Sequence, residues 1–196
     1  MQKHHLLVKP LAVLTVAAAC LAGCNTTATT NTTAGRSEST ATHAEIDDGV
    51  TATLSRLYTQ VNGSRELVAK ADGVLVFPRV IAAGLVVGGE YGKGALRVKG
   101  QRAGYYSLAS LSVGFQAGAQ SKAMVILFMT RDALDKFRAS KGWNVGADAS
   151  VALVKVGANG AIDTNTATSP VQVIVLTNVG LMANLNLEGT KISQIE

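Results

Sequence analysis

Apolar side chains recur at helical spacing in several parts of the chain. Between residues 45 and 61 they repeat every three or four positions, which predicts an amphipathic helix. A short second helix is predicted from its expected N-cap, Ser64, to Ala71. A third is predicted over residues 130–141, with Thr130 as the expected N-cap. We interpret the apolar face of the first helix as packing on the domain core, and insertion of that face into a membrane is the alternative.

Elsewhere the pattern is that of β-strands. A short apolar run at residues 74–77 is stopped by Pro78, and residues 80–90 are apolar but interrupted by glycines. Arg97 and Lys99 alternate with apolar neighbours, which predicts a half-buried strand with both basic side chains on one face. Further strands are predicted at residues 105–119, 122–129, 145–157, 171–179 and 181–188.

Together these elements predict an α+β fold. We expect a mostly antiparallel β sandwich or a partly closed barrel, with short N-terminal helices and one inserted helix. Several strands are apolar on both faces, which indicates that a second layer covers the sheet.

The N-terminal segment has the features of a bacterial secretory signal. Lys3 and Lys9 provide a basic start, and residues 11–21 form an apolar run that is shorter than the roughly 20 residues of a membrane-spanning helix. Residues 21–24, Leu-Ala-Gly-Cys, resemble the lipobox of bacterial lipoproteins. This resemblance implies cleavage before Cys24 and acylation of its sulfur and new amine, which would anchor the chain firmly. The alternative is an ordinary cleaved signal with a chance cysteine.

The residues after Cys24 bear on location. Asn25, rather than Asp, follows Cys24, and analogy with enteric bacteria indicates the outer membrane, facing the periplasm. Residues 25–44 are rich in Thr, Ser and Ala, which predicts a flexible tether. We therefore expect a signal peptide at residues 1–23, a lipidated cysteine and tether at 24–44, and one folded domain at 45–196.

The composition restricts the chemistry of the mature protein. Both cysteines, Cys20 and Cys24, lie in the signal and anchor, so no disulfide, thiol nucleophile or cysteine metal site remains. The single remaining histidine, His43, falls in the predicted tether. Without a folded histidine or cysteine the common catalytic arrangements are excluded, and we find no catalytic pair of carboxylates. Asp47 and Asp48 are explained by the favourable field at a helix N-terminus. We expect a protein without enzymatic activity, cofactor or metal.

The charge balance bears on partners. Removing Lys3 and Lys9 from the 18 Lys and Arg residues leaves 16 against 13 Asp and Glu, a mild excess. A nucleic-acid-binding protein would show a stronger, clustered excess, so nucleic acid is not an expected partner.

Three sequence blocks resemble the SYLF domain, also called the Ysc84 domain. They are Ala-Asp-Gly-Val-Leu-Val-Phe-Pro at 71–78, the glycine-rich stretch at 86–94, and Gly-Phe-Gln-Ala-Gly-Ala-Gln at 114–120. The resemblance covers nearly all of residues 45–196. It implies a lipid-binding module, with eukaryotic relatives that recognise phosphoinositides and some that bind actin, although actin is not an expected partner in a bacterial envelope. Many members have Lys where this chain has Ala82, which puts the shared ligand contact in doubt.

A basic cluster provides the candidate binding residues. It consists of Arg79, Lys93, Arg97, Lys99 and Arg102, with Glu90 as the single acid among them. The hypothesis is that these side chains contact anionic lipid headgroups, at about 1 kcal/mol per charge. A solvated strand face with ordinary charge is the alternative. The expected function is a membrane-anchored, non-enzymatic lipid-binding lipoprotein; the alternative is a structural or protein-interaction module with an envelope protein partner.

Two further features have modest interpretations. Residues 88–94, Gly-Gly-Glu-Tyr-Gly-Lys-Gly, lack the spacing of a P-loop, and we interpret them as a tight turn between strands, with a backbone nest for a lipid phosphate as the alternative. Trp143 and the Tyr105-Tyr106 pair could sit at a membrane interface, but we interpret them as core or turn residues.

Overall fold

The structure is a computed structural model that describes residues 32–84, 87–113, 118–154, 162, 169–177, 180–181, 187 and 189–195. The chain divides into two units, residues 1–32 and 33–196, and the fold below is that of the second unit. Its buried apolar core runs from Ile46 to Ile192. The segment 25–196 therefore contains the whole core of the folded unit.

Three helices and nine strands lie in the described part of the chain. The helices are α1 (Thr32–Gln60), α2 (Ser64–Lys70) and α3 (Arg131–Ala139). The four long strands are β1 (Gly73–Gly84), β2 (Val87–Val98), β3 (Gln101–Val113) and β4 (Gly118–Phe128). The five short strands are β5 (Trp143–Asn144), β6 (Val151–Leu153), β7 (Val171–Thr177), β8 (Gly180–Leu181) and β9 (Lys191–Ile195).

All nine strands belong to one sheet. Eight of them follow the order β5-β9-β3-β2-β1-β4-β7-β6, and β8 pairs with β7. The pairs are antiparallel except β6 with β7, which is parallel, and the sheet curls into a half-barrel. The predicted α+β class is confirmed in this curled form. The sandwich alternative is wrong for the described strands, because a sandwich needs two sheets.

Each face of the sheet carries a buried core, as the apolar strand patterns predict. On one face, called the α1 face, α1 and α2 pack on a core that includes Val76 and Val125. On the other, called the α3 face, α3 packs on a core that includes Leu75 and Ile126. Each fully buried side chain of this kind contributes about 1.5–3 kcal/mol by removal from water.

Helix α1 packs on the core, as predicted, but begins earlier than expected. Val50 and Leu57 on its apolar face are fully buried against the sheet. The helix starts at Thr32 and not at residue 45, and in the part before residue 45 the ring of His43 stacks on Tyr105 at 3.8 Å. The placement of His43 outside the folded domain is therefore corrected. Whether residues 25–44 act as a tether stays a prediction, and residues 25–31 lie outside the described part.

The junction of α1 and α2 differs in its capping from the prediction. Gly63, with a positive φ of 80°, is the N-cap of α2 and provides no side-chain hydrogen bond. Ser64 is instead the first helical residue and is fully buried. Its hydroxyl donates to the carbonyl oxygens of Leu57 and Val61, at 3.1 and 2.7 Å. Ser64 therefore satisfies the end of α1, where carbonyl groups lack helical partners.

Pro78 does not end the first strand. β1 continues to Gly84, and its pairing shifts by a bulge around Pro78 with both neighbours, β2 and β4. A bulge is one of the few positions where a central strand accepts a proline, which has no N–H to donate. Gly94 of β2 lies directly beside this bulge, where a Cβ atom would sit 2.7 Å from the ring of Phe77. The glycine thus makes room for the irregular strand.

The remaining predictions are mostly confirmed. Thr130 caps α3, since its hydroxyl oxygen accepts from the N–H of Ala133 at 3.3 Å, although the helix ends at Ala139, before the expected stop at residue 142. Trp143 is 2% exposed and packs edge-on against Phe137, which confirms its core position. Tyr105 and Tyr106 are also buried.

Two strand boundaries require correction. The strand predicted at 105–119 is divided between β3 and β4. Of the strand predicted at 145–157, Val151–Leu153 forms β6, and residues 155–157 lie outside the described residues. Most of the strand predicted at 181–188 also lies outside them.

Candidate functional site

The predicted basic cluster divides into two groups. Arg97 and Arg102 lie at the α1 end of their strands, where Arg97 donates to Thr51 at 2.9 Å and Arg102 pairs with Asp47 at 2.7 Å. Lys99 is exposed but sits in the turn after β2, with a φ of 51°. The prediction that Arg97 and Lys99 share a strand face is therefore wrong, because β2 ends at Val98.

Arg102 belongs to a network that fastens α1 to β3. Asp47 accepts hydrogen bonds from Arg102 and from the Tyr105 hydroxyl, at 2.7 and 2.9 Å, and Arg102 also donates to that hydroxyl. Burial, together with the hydrogen bond to Asp47, raises the pKa of Tyr105. Asp47 lies well inside α1, so the helix-start explanation given for Asp47 and Asp48 is wrong. The structure gives Asp47 a docking role instead.

Arg79 and Lys93 form the second group. They are directly opposed in the register of β1 and β2, and both are exposed. The described residues contain no ion pair to either side chain. Opposed residues of an antiparallel pair have Cβ atoms about 4.5–5.5 Å apart, and like charges in such positions destabilise the sheet. Arg79 and Lys93 are therefore two neighbouring positive charges, both exposed to solvent on the same face of the sheet.

This pair begins a row pattern on the α1 face. Moving along the strands away from α1, Arg79 and Lys93 form one row with Ser107. Within β1, β2 and β3 the register then gives two apolar rows, the first of Ile81, Tyr91 and Ala109, and the second of Ala83, Gly89 and Leu111. The first row is flanked by exposed Ser121 of β4 and Lys191 of β9. We call these two rows the apolar edge. It lies toward the end of the sheet at which β1 is followed along the chain by β2, and β3 by β4.

The apolar edge is open to solvent. Ile81 is 47% exposed, Tyr91 52% and Leu111 81%, and these are the exposed large hydrophobic residues of the described part. Single exposed apolar side chains are ordinary, but three on one face of adjacent strands form a contiguous patch of the kind that marks interaction sites. Sequence reasoning missed all three, because the residues become neighbours only through the register of three strands.

The opposite face of the same region holds a buried ion pair. Lys122 of β4 bonds Glu90 of β2 at 2.7 Å, and the two side chains are 7% and 17% exposed. Glu90 is the single acid between residues 73 and 128, and its carboxylate is bonded to Lys122 on the face opposite to Arg79 and Lys93. Lys122 and Glu90 are 32 residues apart in the sequence, so no local pattern indicates that they pair.

Ala82, the departure from the common SYLF pattern, lies opposite Glu90 in the register. The carboxylate beside this position is thus already held by Lys122.

The glycine-rich segment 88–94 is part of β2 and not a turn, which corrects the interpretation made from sequence. A backbone nest for a phosphate requires a turn conformation, so an extended strand gives that alternative no basis. The structural reason for the glycines is close approach. A Cβ on Gly92 would lie 2.8 Å from the backbone oxygen of Arg79, at the end of the β1 bulge.

The described residues were also compared with the requirements of a metal site and of a membrane-spanning helix. Within them, no three His, Cys, Asp or Glu side chains are grouped so that they could hold a metal ion. A search of the described helices finds none with the length and apolar character needed to span a bilayer. Cys24 lies outside the described residues.

The fold and this face define an α+β domain with one curled sheet and an exposed basic and apolar surface. The family model Ysc84, described as Las17-binding protein actin regulator, matches residues 109–196, just under half of the chain. This confirms the SYLF resemblance from the later part of β3 to the end, while the blocks at 71–78 and 86–94 precede the match. The family is known for lipid binding and for links to actin regulation. No curated protein matches the chain.

Proposed function

We propose that this protein is a membrane-anchored, non-enzymatic lipid-binding lipoprotein of the bacterial envelope. Acyl chains on Cys24 anchor the protein in the outer membrane, where it faces the periplasm. The folded domain contacts anionic lipid headgroups. The similarity to a family known for lipid binding supports the class of ligand, and the lipobox resemblance supports the anchor.

The observation that carries the headgroup proposal is the opposed pair Arg79 and Lys93. A phosphate group placed between the two cations would replace their repulsion by attraction. Each basic residue near an anionic surface contributes about 1 kcal/mol. Because the acid of this region, Glu90, is engaged on the opposite face by Lys122, the pair offers its full charge to an external anion.

The other three residues of the basic cluster are less suited to contact lipid headgroups. Arg97 and Arg102 have partners on α1 and serve mainly to dock that helix. Lys99 is exposed but lies at the far end of β2 from the apolar edge. We therefore assign the headgroup contact chiefly to Arg79 and Lys93.

Vesicle co-sedimentation of residues 25–196 tests this proposal. We expect binding to vesicles containing phosphatidylglycerol, weakened by salt, and little binding to phosphatidylcholine alone. The double variant Arg79→Gln/Lys93→Gln should bind roughly thirtyfold more weakly, since two charges near the surface are lost. The matched control Arg131→Gln/Lys141→Gln removes the same charge from exposed positions near α3. Equal loss in both variants would show that only net charge matters.

The anchor is tested separately in the full chain. Wild-type protein should incorporate a labelled fatty acid and fractionate with outer membranes, and Cys24→Ser should do neither. If residues 25–196 bind a specific envelope protein or peptidoglycan but no vesicle, the protein-interaction alternative would replace the lipid-binding one.

A further inference from the structure

We infer that the apolar edge inserts into the interfacial layer of an anionic bilayer while Arg79 and Lys93 remain at the headgroups. This inference rests on the proposed function and adds which part of the domain enters the membrane and in what orientation. The strands would enter the lipid from the side of Ala83 in β1, Gly89 in β2 and Leu111 in β3.

The spacing of the rows fits the layers of a bilayer. Successive rows are two residues apart, and a strand rises about 3.3–3.4 Å per residue, so rows are about 7 Å apart. Leu111 lies two rows beyond Arg79 and Lys93, and Ile81 and Tyr91 lie one row beyond. Apolar faces of peripheral proteins enter the headgroup and acyl boundary by about 5–10 Å. Cations at headgroup level therefore place Ile81 and Tyr91, about 7 Å further along the strands, at that boundary, and Leu111, about 14 Å further, at the start of the acyl chains.

The side chains of the edge suit that environment. Tyr91 combines an apolar ring with a hydroxyl, the combination that favours the membrane interface. Ala83, Gly89 and Ala109 separate the large side chains and add no polar group. No acid lies on these rows to oppose an anionic surface.

The covering of the α1 face ends where the cations begin. One row inward from Lys93, Ala95 and Tyr105 are buried against α1. The next rows outward have exposed Arg79 and Lys93 and then exposed Ile81, Tyr91 and Leu111. The edge thus has the apolar composition of a covered face, yet among the described residues its large side chains stay exposed.

Charge decides between two external covers. A second copy docked by the same face would bring two Arg79–Lys93 pairs into one interface, with no acid on these rows to compensate them. An anionic lipid surface supplies the missing negative charge. The combination of apolar edge and uncompensated cations therefore favours lipid over self-association.

A single-cysteine label measures the insertion directly. Residues 25–196 contain no cysteine, so Leu111→Cys provides one attachment point for an environment-sensitive nitrobenzoxadiazole dye. Gln101→Cys is the matched control, since it is an exposed position at the other end of the same strand. On phosphatidylglycerol-containing vesicles the dye at position 111 should shift to shorter wavelength and be quenched by lipid-borne quenchers. The dye at position 101 should do neither.

The outcomes separate this inference from the proposed function. Bound protein with an unchanged dye at position 111 would overturn insertion and leave headgroup binding intact. No binding of the wild-type segment to any vesicle would overturn both. A shift that grows with protein concentration in the absence of vesicles would identify a self-interface and overturn insertion.

A second variant tests the contribution of the edge to affinity. Ile81→Ser/Tyr91→Ser/Leu111→Ser removes the large apolar groups from exposed positions, so the fold should persist, as unchanged thermal unfolding would show. We expect at least about tenfold weaker binding at physiological salt, because buried apolar area is lost. Binding at low salt should persist through the two cations. Equal affinity of wild type and triple variant at physiological salt would contradict insertion.

Discussion

We call residues 73–78, 94–98, 101–106 and 123–128 the inner half of the four long strands, and the remaining residues of these strands the outer half. Both halves carry apolar side chains, but the environments of these side chains differ. In the inner half, successive residues such as Leu75 and Val76 are both fully buried, because α3 covers one face and α1 the other. In the outer half, Ile81 is 47% and Leu111 81% exposed. Helices α1 and α3 cover the two faces of the inner half, whereas the α1 face of the outer half is exposed at these side chains. An apolar strand is therefore evidence of a cover, which need not be part of the same chain.

The bulge at Pro78 separates these halves and sets what each face displays. Before it, Leu75 and Phe77 point to the α3 face; after it, Val80 does so. The alternation is thus reversed, and Arg79 and Ile81 point to the α1 face beside Lys93 and Tyr91. Without the extra residue, the basic and apolar side chains of β1 would point to the side where Lys122 and Glu90 are buried. A local irregularity of the backbone thereby assembles the candidate lipid face.

The largest expected difference between the halves is in the effect of truncating a leucine. Leu75→Ala should lower the free energy of unfolding by about 4 kcal/mol, because a fully buried side chain leaves a cavity. Leu111→Ala should change it by less than about 0.5 kcal/mol, since the side chain is exposed. Urea unfolding of both variants provides the comparison. A large loss for Leu111→Ala would mean that the outer half is covered within the protein.

The next largest effect concerns the buried ion pair of Lys122 and Glu90, which lies on the α3 face of the outer half. Lys122→Met leaves the Glu90 carboxylate largely buried without its cation and should cost about 3 kcal/mol. Adding Glu90→Gln removes the uncompensated charge, so the double variant should recover most of the loss. Thermal or urea unfolding of the single and double variants measures the recovery. Additive losses would show that the two side chains do not act as a pair.

Sequence patterns predicted the inner half better than the outer half. Helical spacing identified the core-packing face of α1, and the Thr130 cap and the buried position of Trp143 followed from local rules. The apolar edge and the Lys122–Glu90 pair are properties of the strand register. That register depends on the bulge at Pro78, where the apolar pattern predicted the end of a strand. Periodicity carries no information about which distant strand lies alongside.

The site prediction was limited by the same missing register. The basic cluster was found because its members are close in sequence, yet Arg97 and Arg102 have partners on α1, 46 and 55 residues away. His43 was placed in a tether because Thr and Ser dominate its surroundings, although its ring stacks on Tyr105. Contacts between distant segments decided these roles.

Two glycines of β2 sharpen the comparison at smaller scale. Gly94→Val should destabilise the protein by about 2 kcal/mol, because its Cβ would lie 2.7 Å from the Phe77 ring and against the backbone of Val76. Gly89→Val adds the same side chain in the outer half, where the nearest atom to its Cβ is 3.7 Å away. We expect no loss beyond about 0.5 kcal/mol there. Comparable losses in urea unfolding would contradict the assigned packing difference.

The smallest expected effect is a pH dependence that belongs to the inner half. Burial raises the pKa of Tyr106, and Arg138 only partly opposes this shift. The folded protein therefore holds this proton more tightly than the unfolded chain does. Its contribution to stability is complete below the unfolded pKa of about 10 and is lost as the pH rises through the folded value. This loss of stability begins only at alkaline pH. At pH 7 the full contribution of Tyr106 is therefore present.

Urea unfolding at increasing alkaline pH measures this contribution. Tyr106→Phe should have a shallower decline of stability above pH about 10 than wild type, because one ionising hydroxyl is removed from the core. Tyr91→Phe removes an exposed hydroxyl from the outer half and serves as the matched control. If Tyr91→Phe flattened the alkaline decline more than Tyr106→Phe, ionisation in the outer half would govern stability. The two halves could then no longer be distinguished by burial.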